Sequence, residues 1–426
     1  MSGKKKRGGM ALPFILASAV AFAAVVAFAA VLIFRKEEES KPPAEDEYTR
    51  FHVFNEEERG VYVPTGYNIA FPSQTDLSAD ELKSEADALV ERCVEAGLNA
   101  VYLQVRPECD AFYKSKIFPV SRWLSSERVL QFDVLDYFVE ICHAKNISIV
   151  AWVNPYRVTA SSATADDLPE GSPAKGEYAD CVISYGGKLY FDPANPKTRA
   201  LIVAGVREIV DNYEVDGIVF DDYFYPYKVY ETDEHGNDVI AVFNDADSFA
   251  AYGADYENIG DFRRANVNLL IKEVFAAVKE ADKKCRFGVA PFGIWKNLAG
   301  DNGGSATRGM ESYYDLYCDT LAWCEAGTVD FIAPQIYWEC DSSVASFEVL
   351  AKWWSEALED YDVDLYFSHA AYRYADGDFT PGEMTKQYEL SKALPNYRGS
   401  VFYSFAAFRD DLAGICNEIG KLKIEN

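Results

Sequence analysis

The chain has 426 residues, 49% of them hydrophobic, and a formal net charge of −27. Such an acidic chain repels nucleic-acid phosphates, so no nucleic-acid partner is expected. The nine cysteines are scattered and the four histidines form no HxH or HExxH pattern, which argues against a disulfide scaffold and a zinc enzyme.

The N-terminal segment has the pattern of an uncleaved membrane anchor. Basic residues 4–7 precede an uncharged run over residues 10–34. A helix of that length extends about 37 Å, which is enough to cross a hydrocarbon core of about 30 Å. The Lys and Arg excess before the run predicts a cytoplasmic N-terminus and an extracellular remainder. A cleaved signal peptide is the alternative, because residues 27–29 match A-x-A, but its apolar core is usually shorter.

Four segments follow from this reading. They are a cytoplasmic tail at 1–9, a single-pass transmembrane anchor at 10–34, a linker at 35–54 and a folded domain at 55–426. The linker is rich in Glu, Lys and Pro, which is typical of a solvated stalk.

Within the folded domain, strand and helix patterns alternate eight times. The predicted strands cover 59–66, 99–106, 148–156, 215–226, 286–295, 329–338, 363–372 and 399–405. The predicted helices cover 78–97, 132–145, 196–213, 261–284, 312–326, 346–360, 381–393 and 410–423. Alternating βα units predict a parallel sheet, and eight of them predict a closed (β/α)8 TIM barrel of the α/β class. No GxGxxG follows the first strand, which argues against a dinucleotide fold.

The connections of the predicted barrel are of unequal length. Most segments from a helix to the next strand are short, whereas those that follow strands two, three and four are long. In such barrels the active site lies at the C-terminal ends of the strands, where these loops gather. We therefore expect the functional residues at that end.

The fourth predicted strand ends in two adjacent carboxylates, Asp221 and Asp222. Carboxylates are costly to bury, and glycoside hydrolysis uses a pair of carboxyl groups. Alternation along the strand places Asp221 with the small residues Gly217 and Val219, on the face predicted to point into the barrel. Asp221 is therefore favoured as the residue aimed at the substrate, with Asp222 beside a neighbour or at the rim. An N-cap or turn role for the pair is the alternative.

Aromatic and polar residues at the other strand ends suit a sugar, because rings stack on pyranose faces and polar groups bind hydroxyls. The predicted substrate-binding residues are Arg106, Asp110, Asn154, Tyr156, Arg157, Tyr223, Tyr225, Trp295, Gln335, Tyr337, Trp338, Glu339 and His369. Glu339 is also the second choice as the carboxylate partner of Asp221. The acidic loop at 233–247 is a possible calcium site but is more typical of a solvated surface, so no metal or cofactor is predicted.

Six ordered motifs resemble the glycosyl hydrolase-like family 10 domain of bacterial cell-envelope proteins. They lie at 59–61, 99–107, 110–113, 152–157, 216–226 and 333–338. The resemblance implies a (β/α)8 glycosidase acting on envelope polysaccharide, with peptidoglycan glycan strands stripped of peptides as the substrate class. It also implies the two strand-four aspartates as catalytic candidates. Glu108 and Cys109 depart from the family, which more often has small residues there.

Two functions of other classes compete with hydrolysis. One is a non-catalytic glycan-binding barrel of the envelope, and the other is a metal-dependent esterase or deacetylase, which the lack of clustered histidines disfavours. Whether hydrolysis retains or inverts the anomeric configuration depends on the separation of the two carboxyl groups, and spacing in the sequence does not give that distance.

Overall fold

The computed structural model describes residues 50–233 and 235–422. The predicted tail, the predicted anchor and most of the linker lie outside the described residues. Among the described residues, no helix is both long enough and apolar enough to cross a membrane. All elements below belong to the unit that begins at His52.

Eight parallel strands close into a barrel, as the alternating pattern predicts. In chain order the strands are β1 (Glu58–Val63), β2 (Ala100–Arg106), β3 (Ser148–Val153), β4 (Val182–Tyr185), β5 (Lys188–Phe191), β6 (Gly217–Phe220), β7 (Tyr230–Thr232), β8 (Asp238–Ile240), β9 (Arg286–Val289), β10 (Phe331–Ile332), β11 (Asp364–His369) and β12 (Tyr397–Tyr403). The barrel order is β1-β2-β3-β6-β9-β10-β11-β12, and β12 pairs back onto β1. The pairs β4-β5 and β7-β8 are antiparallel hairpins in the loops after β3 and β6, and neither was predicted.

Helices follow the barrel strands. They are α1 (Ala79–Glu95), α2 (Val134–Ala144), α3 (Pro196–Asn212), α4 (Ala246–Tyr252), α5 (Ile259–Ala281), α6 (Ser312–Asp315), α7 (Thr320–Glu325), α8 (Phe347–Ala357), α9 (Arg373–Asp376), α10 (Glu383–Lys392), α11 (Phe405–Arg409) and α12 (Ile415–Gly420). The predicted helix 312–326 is two helices, because Tyr317 between them adopts a left-handed φ of 56°. The predicted helix 410–423 is broken in the same way at Asp411 and Ala413. Helix α4 lies in the loop after β6, where no helix was expected.

Alternation along the strands separates two cores. Tyr62, Trp152 and Val219 belong to the cluster that fills the barrel interior, whereas Ile218 and Phe220 belong to the larger core beneath the helices. Side chains of a barrel strand point alternately inward and outward. Asp221 therefore continues the inward face of β6.

The N-terminal side of β6 begins at Asp216, a buried carboxylate with several partners. It accepts hydrogen bonds from the backbone N–H groups of Val53 and Ile149, both at 2.7 Å, and contacts Nε2 of His143 at 3.0 Å. Burial opposes ionisation of Asp216, but hydrogen bonds from His143, His52 and the backbone outweigh it and lower the pKa of Asp216. This end of the barrel contributes stability.

The nine cysteines all lie among the described residues, and none forms a disulfide there. Eight of them are buried, and Cys416 is partly exposed. They behave as small apolar side chains of the core.

Candidate active site

A cavity of about 460 Å³ opens at the C-terminal ends of the barrel strands. Its lining includes Tyr62, Tyr67, Gln104, Trp152, Arg157, Lys188, Tyr190, Asp221, Asp222, Tyr223, Tyr227, Gln335, Tyr337, Tyr372 and Tyr403. The volume lies within the usual range for small-molecule sites, and the lining combines aromatic rings with a small number of charges. Such a cavity suits a sugar ring flanked by stacking side chains.

Asp221 is held on both carboxylate oxygens. Its Oδ2 accepts hydrogen bonds from Nε1 of Trp152 at 3.2 Å and from Nδ2 of Asn154, and its Oδ1 accepts from the N–H of Tyr223 at 3.3 Å. Burial raises the pKa of Asp221, whereas the charge of Arg157 and these three hydrogen bonds oppose that rise. All three neighbours act as donors, so they stabilise the ionised form of Asp221 against the effect of burial.

Asp222 lies beside it in a different environment. Its side chain is buried, and its Oδ2 accepts a hydrogen bond from the hydroxyl of Tyr227. Burial and the neighbouring charge of Asp221 raise the pKa of Asp222 to about 7. Asp222 therefore keeps a proton below neutral pH. Acid and base roles are divided between two carboxyl groups when their environments differ in this way.

One wall of the cavity is the β4-β5 hairpin. The hairpin is fixed to the chain after β3 by hydrogen bonds from the N–H of Val158 to the carbonyl of Leu189 at 3.0 Å and from the N–H of Phe191 to the carbonyl of Tyr156 at 2.8 Å. Lys188 and Tyr190, two residues apart on β5, both line the cavity. The hairpin thus contributes an ammonium group and an aromatic ring.

Arg157 brings a second cation to the same wall. Its guanidinium lies 4.3 Å from the ring centroid of Tyr223, and its backbone bridges to Tyr190 of the hairpin. Burial lowers the pKa of Arg157, but the negative charge of Asp221 and further neighbouring groups outweigh it, so the pKa of Arg157 is raised. Arg157 therefore stays charged and offsets part of the charge of the carboxylates.

The structure brings together about half of the predicted site. Asp221, Asp222, Arg157, Tyr223, Gln335 and Tyr337 line the cavity. Asn154 is fully buried and does not line the cavity, but its side-chain amide donates a hydrogen bond to Asp221.

The remaining predicted residues do not line this cavity. Asp110 lies with Glu108 in a separate cavity of about 240 Å³. The guanidinium of Arg106 lies 3.8 Å from the ring of Phe118. A bulge shifts the register of β2 between Gln104 and Arg106, so alternation no longer places these two side chains on the same face.

His369 and three aromatic residues are also part of the packing. His369 is fully buried and bonds Gln387 at 3.0 Å and Ser400 at 2.9 Å. Tyr225 donates to Asp245 at 3.5 Å, Trp295 stacks on Trp353 at 5.9 Å, and Trp338 meets Phe292 edge to face at 5.6 Å.

Tyr156 and Glu339 complete the set that the cavity does not include. Tyr156 is buried in the large core. Glu339 accepts a hydrogen bond from the N–H of Phe347 at 3.1 Å through its backbone carbonyl. The second carboxyl group beside Asp221 in the cavity is therefore its sequence neighbour Asp222.

Several lining residues were missed as site candidates. Trp152 on β3 lies two residues before Asn154, so period-two alternation gave a usable signal for it, whereas the bulge after Gln104 removes that signal on β2. Tyr227, Lys188 and Tyr190 lie in long loops without a periodic pattern. Within the described ranges, no three His, Cys, Asp or Glu side chains are grouped to hold a metal ion.

Comparison with known proteins agrees with this geometry. Residues 57–380 match the family described as Glycosyl hydrolase-like 10. The glycosyl hydrolase YngK of Bacillus subtilis is 37% identical over 366 residues, which cover 84% of this chain and 70% of YngK. The glycosyl hydrolase DigH of Escherichia coli K12 is 30% identical over 389 residues, which cover 85% of each chain.

Solved structures resemble the chain in fold. The glycoside hydrolase domain of PgaB (BpsB) from Bordetella bronchiseptica superposes with a TM-score of 0.55 at 13% identity, over 86% of this chain and 99% of that domain. An α-L-fucosidase from Paenibacillus thiaminolyticus gives 0.52 at 12% identity, over 86% of this chain and 48% of that one. At these identities the likeness concerns the barrel alone. Because residues 57–380 match this family and both relatives are named glycosyl hydrolases, the chain belongs to the glycosyl hydrolase-like 10 family and is a glycoside-hydrolase-type enzyme built on a TIM barrel.

Proposed function

We propose that the barrel hydrolyses glycosidic bonds in polysaccharide of the cell envelope, with peptidoglycan glycan strands as the substrate class. The observation that carries the proposal is the pair Asp221 and Asp222, two buried carboxyl groups with different hydrogen-bond partners in one aromatic-lined cavity. The names of YngK and DigH as glycosyl hydrolases support the reaction class. The substrate class rests on the family resemblance.

In the proposed reaction, Asp222 is the general acid. It gives its proton to the glycosidic oxygen as the bond from that oxygen to the anomeric carbon breaks, and its pKa of about 7 suits that transfer near neutral pH. Asp221, whose ionised form is stabilised by its three donors and by the charge of Arg157, faces the positive charge that develops on the sugar. It acts as the nucleophile or as the base for water. Water supplies the hydroxyl of one product and the proton that restores the acid.

The N-terminal run at 10–34 would hold the enzyme in the membrane, with its N-terminus in the cytoplasm and the barrel outside. The charge asymmetry around that run supports this arrangement. Protease added to intact cells should remove the barrel if the orientation is as proposed, and full protection would contradict it.

Turnover on purified glycan strands without peptides tests the function. We expect new reducing ends with the wild-type chain and a fall of about 10³-fold or more with Asp221→Asn or Asp222→Asn, since each removes one half of the acid–base pair. The configuration of the first product, followed by NMR, separates retention from inversion.

Asp192→Asn is the matched control. Asp192 is also a buried aspartate with a pKa raised by burial, yet it does not line the cavity. Its substitution should leave turnover within a few-fold of wild type. Binding of the glycan by the wild-type chain without any product would instead support the alternative, a non-catalytic glycan-binding barrel.

A further inference from the structure

We propose that Gln104 is a positioning residue that fixes the direction of the hydrogen bonds toward Asp221, acting through Asn154. This inference rests on the proposed function and identifies how the ionised carboxylate of that function is maintained. Gln104 lines the cavity, but its polar atoms point to the backbone and to Asn154.

The backbone determines how the amide of Gln104 is oriented. Its Oε1 lies 2.9 Å from the N–H nitrogen of Thr65 and 3.1 Å from that of Gly66. Both groups are donors, so only the oxygen of the amide can face them. The hydroxyl of Thr65 also donates to the carbonyl oxygen of Gln104 at 2.7 Å, which ties the two chain segments together.

The orientation of Gln104 then determines that of Asn154. With Oε1 occupied, Nε2 of Gln104 donates to Oδ1 of Asn154 at 2.7 Å. Asn154 must therefore turn its Nδ2 toward Oδ2 of Asp221, and it does so. Gln104 and Asn154 are 4% and 0% exposed, so water has little access with which to reverse either amide.

The hydrogen bonds therefore all run in one direction. The backbone that follows β1 donates to Gln104, Gln104 donates to Asn154, and Asn154 donates to Asp221. An amide in the opposite orientation would present an oxygen to the carboxylate and favour its protonated form. Partners that orient a metal ligand are typically worth about 10–100-fold in activity, and we expect an effect of similar size for Gln104.

Two substitutions of Gln104 test this role. In Gln104→Glu the second carboxylate oxygen faces Asn154, so the amide of Asn154 must reverse, and a new negative charge lies near Asp221. We expect the acid limb of the pH–rate profile, set by ionisation of Asp221, to move to higher pH by about one unit or more. In Gln104→Met the amide of Asn154 loses its orienting partner, and kcat should fall about 10–100-fold with little change in KM.

A second readout does not depend on turnover. The carboxyl ¹³C signal of Asp221, assigned by its loss in Asp221→Asn, should titrate at higher pH in Gln104→Glu than in the wild-type chain. This comparison holds even if the wild-type chain has no hydrolytic activity, so failure of the proposed function and failure of this inference are distinguishable.

Gln387→Glu is the matched control, because Gln387 is an equally buried amide whose side chain bonds His369, Glu383 and the carbonyl of Trp338 and which does not line the cavity. Its acid limb should stay at the wild-type position. Thermal unfolding of every variant checks that it is folded. The inference would be overturned if the acid limb of the pH–rate profile, kcat and the titration of Asp221 were unchanged in both Gln104 variants. It would also be overturned if Gln387→Glu shifted the acid limb as far as Gln104→Glu does.

Discussion

Replacing Asp222 by asparagine should stabilise the protein at alkaline pH while removing its activity. The folded chain raises the pKa of Asp222 from 3.8 to about 7, chiefly by burial and next by the charge of Asp221. The folded state therefore binds this proton more tightly than the unfolded state, and the free energy of unfolding falls as pH rises from about 4 to about 7. Asparagine cannot ionise, and its Oδ1 can still accept the hydrogen bond from Tyr227.

The size of the gain follows from the pKa difference. One pKa unit corresponds to about 1.4 kcal/mol, so with part of the effect shared with Asp221 we expect a gain on the order of 2–4 kcal/mol at pH 8 and almost none at pH 4. Urea unfolding of the full chain at several pH values, followed by tryptophan fluorescence, measures it. A gain independent of pH, or a loss of stability at pH 8, would refute the account of why Asp222 holds its proton.

Three other outcomes are expected. Asp216→Asn should lower the free energy of unfolding by about 1–3 kcal/mol at pH 7, because one of the two backbone donors would face an amide NH₂. Urea unfolding measures this loss, which should shrink as pH falls below about 4. The wild-type rate should decline as pH rises through about 7, since Asp222 then loses the proton it donates; a rate rising to pH 9 would contradict this role. Lys188→Met should raise KM several-fold in steady-state assays with little change in kcat, because Lys188 lines the cavity wall.

The barrel was predictable because its signal is periodic and repeated. Each predicted strand is an apolar run that precedes a longer helical pattern. Strand β3, for example, begins at Ser148 as predicted. Helix α1 begins where Ser78 and Glu81 predict a capping box, with the backbone N–H of Ser78 donating to Glu81 at 2.8 Å. Such local rules carry from sequence to structure without tertiary information.

The site was predictable only in part, because side-chain direction at strand ends depends on local irregularities. The register shift in β2 separates Gln104, which lines the cavity, from Arg106, which does not. Tyr190 comes to the cavity through a hairpin whose position depends on long-range backbone hydrogen bonds. His369 carries polar atoms, but Gln387 and Ser400 satisfy them within the core. None of these arrangements leaves a periodic signal in the sequence.

The cysteines bear on how the protein can be handled and labelled. Burial raises the pKa of Cys109 and of Cys181 to about 11, so both remain protonated thiols at neutral pH and react slowly with electrophiles. Folding of the described barrel needs no oxidant and should proceed equally in reducing buffer. Burial raises the pKa of Cys416, the partly exposed thiol, to about 11 as well, and its Sγ donates to the carbonyl of Phe408 at 3.2 Å. Cys416 lies in helix α12 and is not among the residues that line the cavity, so a maleimide dye should label the native chain slowly at neutral pH, and fast site-specific labelling calls for an engineered surface cysteine.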